Sequence, residues 1–120
     1  MRSLLAVLLL APALLAQTTK SAPEALFDGK TLAGWRGDPA VWSVRDGCLV
    51  GSTVGHPIQQ NTFLIWQGGE LADFELSAEV RLEGDNNSGI QYRSSLVDGV
   101  DLALRGYQCD VHPSAEYLAM

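Results

Sequence analysis

Apolar and polar residues alternate most regularly between Asp73 and Glu83. The apolar positions are Phe74, Leu76, Ala78, Val80 and Leu82, and charged or small polar residues stand between them. Successive side chains of a strand point to opposite faces, whereas a helix would scatter these apolar positions around its surface. We therefore predict a long strand here, with one face against a core and the other facing water or a ligand.

The same alternation returns twice further along the chain. The two runs are residues 90–94 ("IQYRS") and residues 106–112 ("GYQCDVH"). Between the long strand and the first run, residues 85–87 ("DNN") favour a turn, because their side chains bond to nearby backbone. Gly89 follows that turn and suits the close approach of another backbone or of a ligand.

Two earlier runs complete the predicted strands. Residues 42–52 ("WSVRDGCLVGS") place Asp46-Gly47 between two short apolar-alternating stretches, which is a strong signal for a hairpin turn. Residues 62–67 ("TFLIWQ") are β-branched and aromatic and predict a further strand. No convincing helical period follows residue 16, so the chain is predicted to be all-β, as a sandwich or a barrel.

The start of the chain indicates an export signal rather than a part of the fold. Residues 1–3 supply positive charge, and residues 4–16 ("LLAVLLLAPALLA") form an uncharged apolar run. This run is shorter than the about 20 residues that a membrane-spanning helix needs, and it suits the core of a secretory signal peptide. We predict a signal peptide over 1–16; cleavage after Ala13 and an uncleaved membrane anchor are the alternatives.

The chain after the predicted signal peptide has the size and charge of one acidic domain. Residues 17–25 are small and polar and predict a flexible lead-in, which leaves 26–120 for a single domain. The formal net charge is −6. A nucleic-acid partner is not expected, because phosphate binding needs a basic face. No stable membrane insertion is expected once the signal peptide is removed.

The chain has two cysteines, Cys48 and Cys109. Export would place them where a disulfide persists, but spacing in the sequence cannot bring them together. Both lie in apolar-patterned runs, so we favour free, buried thiols over a disulfide.

Four stretches taken together resemble a known family. They are residues 26–37 ("LFDGKTLAGWRG"), 42–52 ("WSVRDGCLVGS"), 63–94 ("FLIWQGGELADFELSAEVRLEGDNNSGIQYRS") and 105–117 ("RGYQCDVHPSAEY"). In this order they resemble the 3-keto-disaccharide hydrolase family, long called a domain of unknown function and also described as 3-keto-alpha-glucoside 1,2-lyase/3-keto-2-hydroxy-glucal hydratase. The resemblance implies a concanavalin A-like jelly-roll β-sandwich. The family's domain is longer, so its C-terminal strands are expected to be missing here.

The resemblance also implies a secreted or periplasmic bacterial enzyme acting on oxidised (3-keto) glycosides or disaccharides. A ketone at C3 makes the C2 hydrogen acidic, so a base can remove it and the glycosidic oxygen can leave from C1. Water can then add to the resulting glucal. Such a route needs a base, an acid for the leaving oxygen and an electropositive group for the enolate. Ordinary glycoside hydrolysis would instead need two carboxylates flanking the bond.

Three polar residues are the predicted catalytic groups. Asp110 and His112 stand two residues apart, so on one strand they share a face and could act as an acid–base pair or share a metal. Arg93 is the candidate for stabilising the enolate or orienting the substrate. The structural alternatives are a sheet-edge aspartate, a histidine that ends the strand before Pro113, and a surface arginine paired with Glu79 or Glu83.

Four further residues are predicted to bind substrate: Glu79, Gln91, Gln108 and Trp35. Many members of the family have glutamate in a "GYE" run where this chain has Gln108, so no glutamate role transfers to that position. Trp35 follows Gly34 in a turn-rich stretch and could stack on a sugar ring, whereas Trp42 and Trp66 lie in strand-like runs and are expected in the core. A divalent metal is a possible cofactor, although His56 and His112 lie far apart and show no spaced ligand set.

Two other kinds of function stay open from the sequence alone. A sandwich of this type can bind carbohydrate without catalysing any reaction, since fold does not determine function. The chain can also be an inactive fragment of the enzyme.

Overall fold

A computed structural model of the chain describes residues 22–84 and 87–113. Its six strands are β1 (Trp35–Arg36), β2 (Trp42–Arg45), β3 (Cys48–Gly51), β4 (Ile65–Trp66), β5 (Ser88–Leu96) and β6 (Leu104–Val111). They form three two-stranded antiparallel sheets, which pair β1 with β4, β2 with β3, and β5 with β6. The described residues contain no helix. The all-β class is confirmed and is consistent with a β-sandwich, while the jelly-roll order of the strands stays a prediction.

Several predictions from the sequence fall outside the described residues. The signal peptide over 1–16 is one, and Asp85 and Asn86 of the predicted turn are another. Within the part of the chain that the structure describes, no helix combines the length and apolar character needed to cross a bilayer.

The β2–β3 hairpin forms where Asp46-Gly47 predicted it. Arg45 pairs with Cys48, so the loop contains just these two residues. Both have positive φ angles, 52° for Asp46 and 75° for Gly47. A type I′ turn requires that combination, and its twist matches that of the flanking strands.

A small apolar cluster lies beside this hairpin. Val41 is buried, with 6% of its surface exposed, and is the one buried hydrophobic residue among the described positions. Next to it, the indole of Trp42 lies between two glycines. A Cβ added to Gly37 would lie 2.9 Å from Trp42 Cδ1, and one added to Gly51 would lie 2.8 Å from Trp42 Cζ3. Trp42 is therefore packed against backbone and is half-buried.

Asp28 organises the turn that leads into β1. Its Oδ1 accepts hydrogen bonds from the backbone N–H groups of Lys30 and Thr31, each at 2.7 Å, and its Oδ2 accepts one from the Thr31 hydroxyl at 2.7 Å. These donors favour the ionised carboxylate, with the Thr31 N–H making the largest contribution, and they lower the pKa of Asp28 from 3.8 to about 2.

The turn at Asp28 is expected to loosen in acid. Because the folded-state pKa is depressed, its stabilising effect is fully present above pH 3.8 and is lost as the pH falls towards 2. The amide resonances of Lys30 and Thr31 should titrate together with a midpoint near pH 2. Asp28→Asn should abolish that titration; a midpoint at the ordinary value of 3.8 would contradict the hydrogen bonding described here.

The strand predicted over residues 73–83 is wrong in this structure. The chain there belongs to no strand. Phe74 and Leu76 each expose 45% of their surface, and Val80 exposes 50%. Alternation decides which side chains share a face, but a strand also needs a hydrogen-bonded neighbour, and this segment has none among the described residues. The predicted strand over 62–67 is likewise shortened, to β4.

The two cysteines differ from expectation in one respect. Both are free, as favoured, but both are exposed rather than buried. Cys48 begins β3 directly after the tight turn, and Cys109 lies in β6, on a sheet with two strands. Neither cysteine is covered by a second sheet. Their location in apolar-patterned runs therefore did not lead to burial of the thiols.

Candidate functional site

The β5–β6 hairpin brings three of the predicted site residues onto one face. Gln91 pairs directly with Gln108, and Gly89 pairs with Asp110. Since cross-strand partners point to the same side of a sheet, Gln91, Gln108 and Asp110 share a face. We call these three residues the polar face of the hairpin. Alternation in the sequence predicted that Gln108 and Asp110 share a face; the register confirms this and adds Gln91.

A short hydrogen bond links two members of the polar face. Gln108 Nε2 donates to Asp110 Oδ1 at 2.6 Å. Gly89 on the opposite strand makes room for the glutamine. A Cβ added there would lie 2.7 Å from Gln108 Cγ and 2.8 Å from the Cys109 carbonyl oxygen. The prediction that Gly89 permits a close approach is therefore confirmed, and the approaching group is the Gln108 side chain together with the β6 backbone.

The opposite face of the hairpin is apolar. Tyr92 and Tyr107 are cross-strand partners whose rings stack, with centroids 5.9 Å apart and an angle of 23° between the ring planes. Ile90 pairs with Cys109 on the same side. Aromatic pairs of this kind stabilise an antiparallel sheet. The hairpin thus has one face suited to hydrogen bonding and one suited to apolar packing.

A β-bulge interrupts the hairpin beyond the polar face. Tyr92 pairs with Tyr107, but the next pair is Ser95 with Arg105, so Arg93 and Ser94 stand opposite Gly106 alone. Arg93 has a φ of 49°. A bulge shifts the side-chain alternation by one residue. The simple alternation, which placed Arg93 on the face of Gln91, therefore ends at Tyr92, and the bulge determines where Arg93 lies.

Ser94 and Gly106 belong to this site and were missed from the sequence. The Ser94 hydroxyl donates to the Tyr92 carbonyl at 3.1 Å and lies 3.5 Å from Gln91 Oε1. A Cβ on Gly106 would lie only 2.1 Å from Ser94 Oγ and 2.7 Å from Ser94 Cα. The available signal was Gly106 itself, because glycine inside a strand often marks a bulge or a close backbone approach.

Gly106→Ala is expected to disrupt the bulge. Rotating the Ser94 hydroxyl relieves one clash, but the contact with Ser94 Cα can be relieved only by moving the backbone. We expect a loss of about 1–3 kcal/mol in the free energy of unfolding, as for other overpacked sites. Chemical denaturation measures it, with Arg105→Ala at the neighbouring exposed position as the control. Equal stability of the two variants would contradict the packing described.

Arg93 lies near the segment that precedes β5. Its Nη2 is 3.9 Å from Asp73 Oδ1, and both side chains are exposed. Residues 72–74 and 92–93 line an open depression there. The alternative from the sequence paired Arg93 with Glu79 or Glu83, whereas the observed ion pair is with Asp73. An exposed pair at this separation contributes about 0–1 kcal/mol, so it restrains the guanidinium weakly.

The remaining predicted residues lie outside the two strands that form the polar face. His112 follows the end of β6 and is half-buried, and Glu79 is exposed in the segment before β5. Trp35 lies in a different sheet, where it pairs with Trp66. Its indole N–H donates to the Leu26 carbonyl at 3.1 Å. Trp35 is thus anchored at one edge of its ring instead of standing in a free turn.

The described residues do not fit a metal site. They contain no grouping of three or more histidine, cysteine, aspartate or glutamate side chains placed to hold an ion. Stable sites for divalent metals use several such ligands. Asp110 and His112 alone do not make up such a set.

Comparison with known proteins identifies the family. An all-β chain with a polar sheet face suits a carbohydrate-active domain, and residues 22–119 match the 3-keto-alpha-glucoside-1,2-lyase-like domain. The chain belongs to this family. The curated 3-keto-disaccharide hydrolase of Bacteroides thetaiotaomicron is 34% identical over 87 residues, covering 63% of this chain and 29% of the relative. The chain therefore spans less than a third of that relative's length. No solved structure gives a significant match.

Proposed function

We propose that the chain is part of an exported enzyme that cleaves 3-keto-glycosides by elimination, with hydration of the product. The family match over residues 22–119 and the name of the curated relative support the reaction class. The apolar run over residues 4–16 supports export. The observation that carries the proposal is the polar face, which sets a carboxylate beside two amide side chains.

Asp110 is the proposed base. Its carboxylate takes the proton from C2 of the sugar, and the electron pair of that C–H bond forms the enolate of the C3 ketone. When the enolate collapses, the C3 carbonyl is restored and a double bond forms between C1 and C2. The bond from C1 to the glycosidic oxygen then breaks, and its electron pair leaves with that oxygen. General base catalysis of this kind contributes about 10²–10⁴-fold to the rate.

Arg93 and His112 are assigned to the two sites where charge develops. The Arg93 guanidinium stabilises the negative charge that develops on the C3 oxygen as the enolate forms. His112, two residues beyond Asp110, is the proposed acid that protonates the leaving glycosidic oxygen. Water then adds across the C1–C2 double bond to give the free 3-keto sugar.

The remaining polar groups are assigned to substrate recognition. Gln91 belongs to the polar face, and its amide can donate to one sugar hydroxyl while accepting from another. Glu79 and Trp35 stay candidates as a hydroxyl acceptor and a stacking platform. A neutral substrate suits the acidic chain, whose net charge is −6.

The test is turnover of a chromogenic 3-keto-glucoside by the purified full chain. Release of the chromogenic alcohol, with a conjugated enone appearing in the ultraviolet, is the expected result. The unoxidised glucoside serves as the matched control, since it lacks the ketone that acidifies C2. Saturable binding of the 3-keto-glucoside without turnover would point to a binding module instead. The absence of both binding and turnover would reject the proposal.

A further inference from the structure

We infer that Gln108 is a positioning residue that acts through Asp110, rather than a ligand for the sugar. This inference rests on the proposed function insofar as Asp110 is the base. The glutamine amide holds Oδ1 of the carboxylate, so Oδ2 is directed to the C2 proton. A base held in one orientation loses less freedom on reaching the transition state than one that rotates.

The hydrogen bond itself is the first support. At 2.6 Å, the hydrogen bond from Gln108 Nε2 to Asp110 Oδ1 is shorter than most N–H···O bonds, and bonds to a charged acceptor are the shorter ones. Both side chains are exposed, so water competes for them and a short bond needs a geometry that favours it. That geometry comes from the strand, because residues two apart on β6 point to the same side.

Gly89 is the second and independent support. Its φ angle lies outside the left-handed region, so its backbone conformation does not require glycine. Glycine is needed here for lack of space, because a Cβ added to Gly89 would lie 2.7 Å from Gln108 Cγ and 2.8 Å from Gln108 Cδ. The residue directly opposite Asp110 therefore leaves room for the glutamine that reaches that aspartate. The cross-strand pair and the hydrogen bond form one arrangement.

Kinetics separates positioning from substrate binding. Gln108→Leu is expected to lower kcat by about tenfold to 100-fold, because the base is no longer held in place. Its KM should stay within about threefold, because no contact with the sugar is lost. Gln108→Lys keeps an N–H donor at this position and should retain more activity than Gln108→Leu.

The exposed Gln67, which lies outside the polar face, provides the matched control. Gln67→Leu should leave both kinetic constants of the full chain unchanged. A Gln108→Leu variant whose KM rises while kcat holds would overturn the inference and make Gln108 a ligand for the substrate.

An NMR measurement on the full chain tests the hydrogen bond without relying on turnover. The side-chain amide protons of Gln108 should shift when Asp110 is replaced in Asp110→Ala, while those of Gln67 stay in place. Gly89→Ala should move the Gln108 signals as well, since it pushes that side chain away.

If the unaltered chain turns over no 3-keto-glucoside, the proposed function fails, but the amide shifts still decide whether Gln108 holds Asp110. Unchanged Gln108 signals in Asp110→Ala would overturn the inference.

Discussion

Asp110→Ala is expected to lower kcat/KM for a 3-keto-glucoside by about two to four orders of magnitude, the usual contribution of a general base. The carboxylate is exposed on the polar face, where it stands opposite Gly89. Deprotonation at C2 begins the elimination, so loss of the base slows the first chemical step and with it turnover. Steady-state assays of the purified variants measure the effect.

Two further variants sharpen this prediction. Asp110→Asn keeps the shape of the side chain and can still accept from Gln108, but it cannot take a proton, so an equally large loss is expected. Asp98→Ala removes another exposed carboxylate, in the loop between β5 and β6, and should leave kcat/KM unchanged. Asp110→Ala activity within about tenfold of the unaltered chain would make Asp110 a structural sheet residue.

The hairpins were the most predictable part of the fold, because local chemistry determines them. Asp46-Gly47 specifies a tight turn through the positive φ angles that both residues adopt. Along β6, period-two alternation correctly grouped Gln108 with Asp110 on one face. These features depend on residues close together in sequence or on one strand pair.

Features that depend on a neighbouring strand could not be read from the alternation. The segment over 73–83 has the most regular pattern in the chain but belongs to no strand. A pattern reports which side chains share a face; it does not report which backbone will accept the hydrogen bonds. Leu71, at 50% exposed, and Tyr107, at 65%, likewise stay largely open to solvent, although the Tyr107 ring stacks on Tyr92.

The bulge marks the limit of prediction at the site. Alternation through "IQYRS" assigns Arg93 to the face of Gln91, but one extra residue on β5 breaks that count. Gly106 is where the extra residue is accommodated, because a side chain there would collide with Ser94. Gly106, an interior glycine of the partner strand, therefore indicates the position of Arg93 better than the alternating run over 90–94 does.

Arg93→Ala is expected to lower kcat/KM by about two to three orders of magnitude, as the removal of a donor to a developing oxyanion does. The bulge holds the Arg93 backbone at a φ of 49°, in the left-handed region that few non-glycine residues adopt. Such conformations cluster at functional sites, where the surrounding structure maintains them. Arg93→Lys keeps the charge but loses the planar pair of donors, so an intermediate loss is expected.

Asp73→Ala is the control that isolates the ion pair. It removes the carboxylate that lies 3.9 Å from the guanidinium and leaves Arg93 in place. Because both side chains are exposed, this change should alter the free energy of unfolding by less than about 1 kcal/mol. If Arg93 stabilises the enolate, Asp73→Ala retains activity while Arg93→Ala loses it. If both variants retain full activity, Arg93 is a surface residue paired with Asp73, and the enolate must be stabilised by another group.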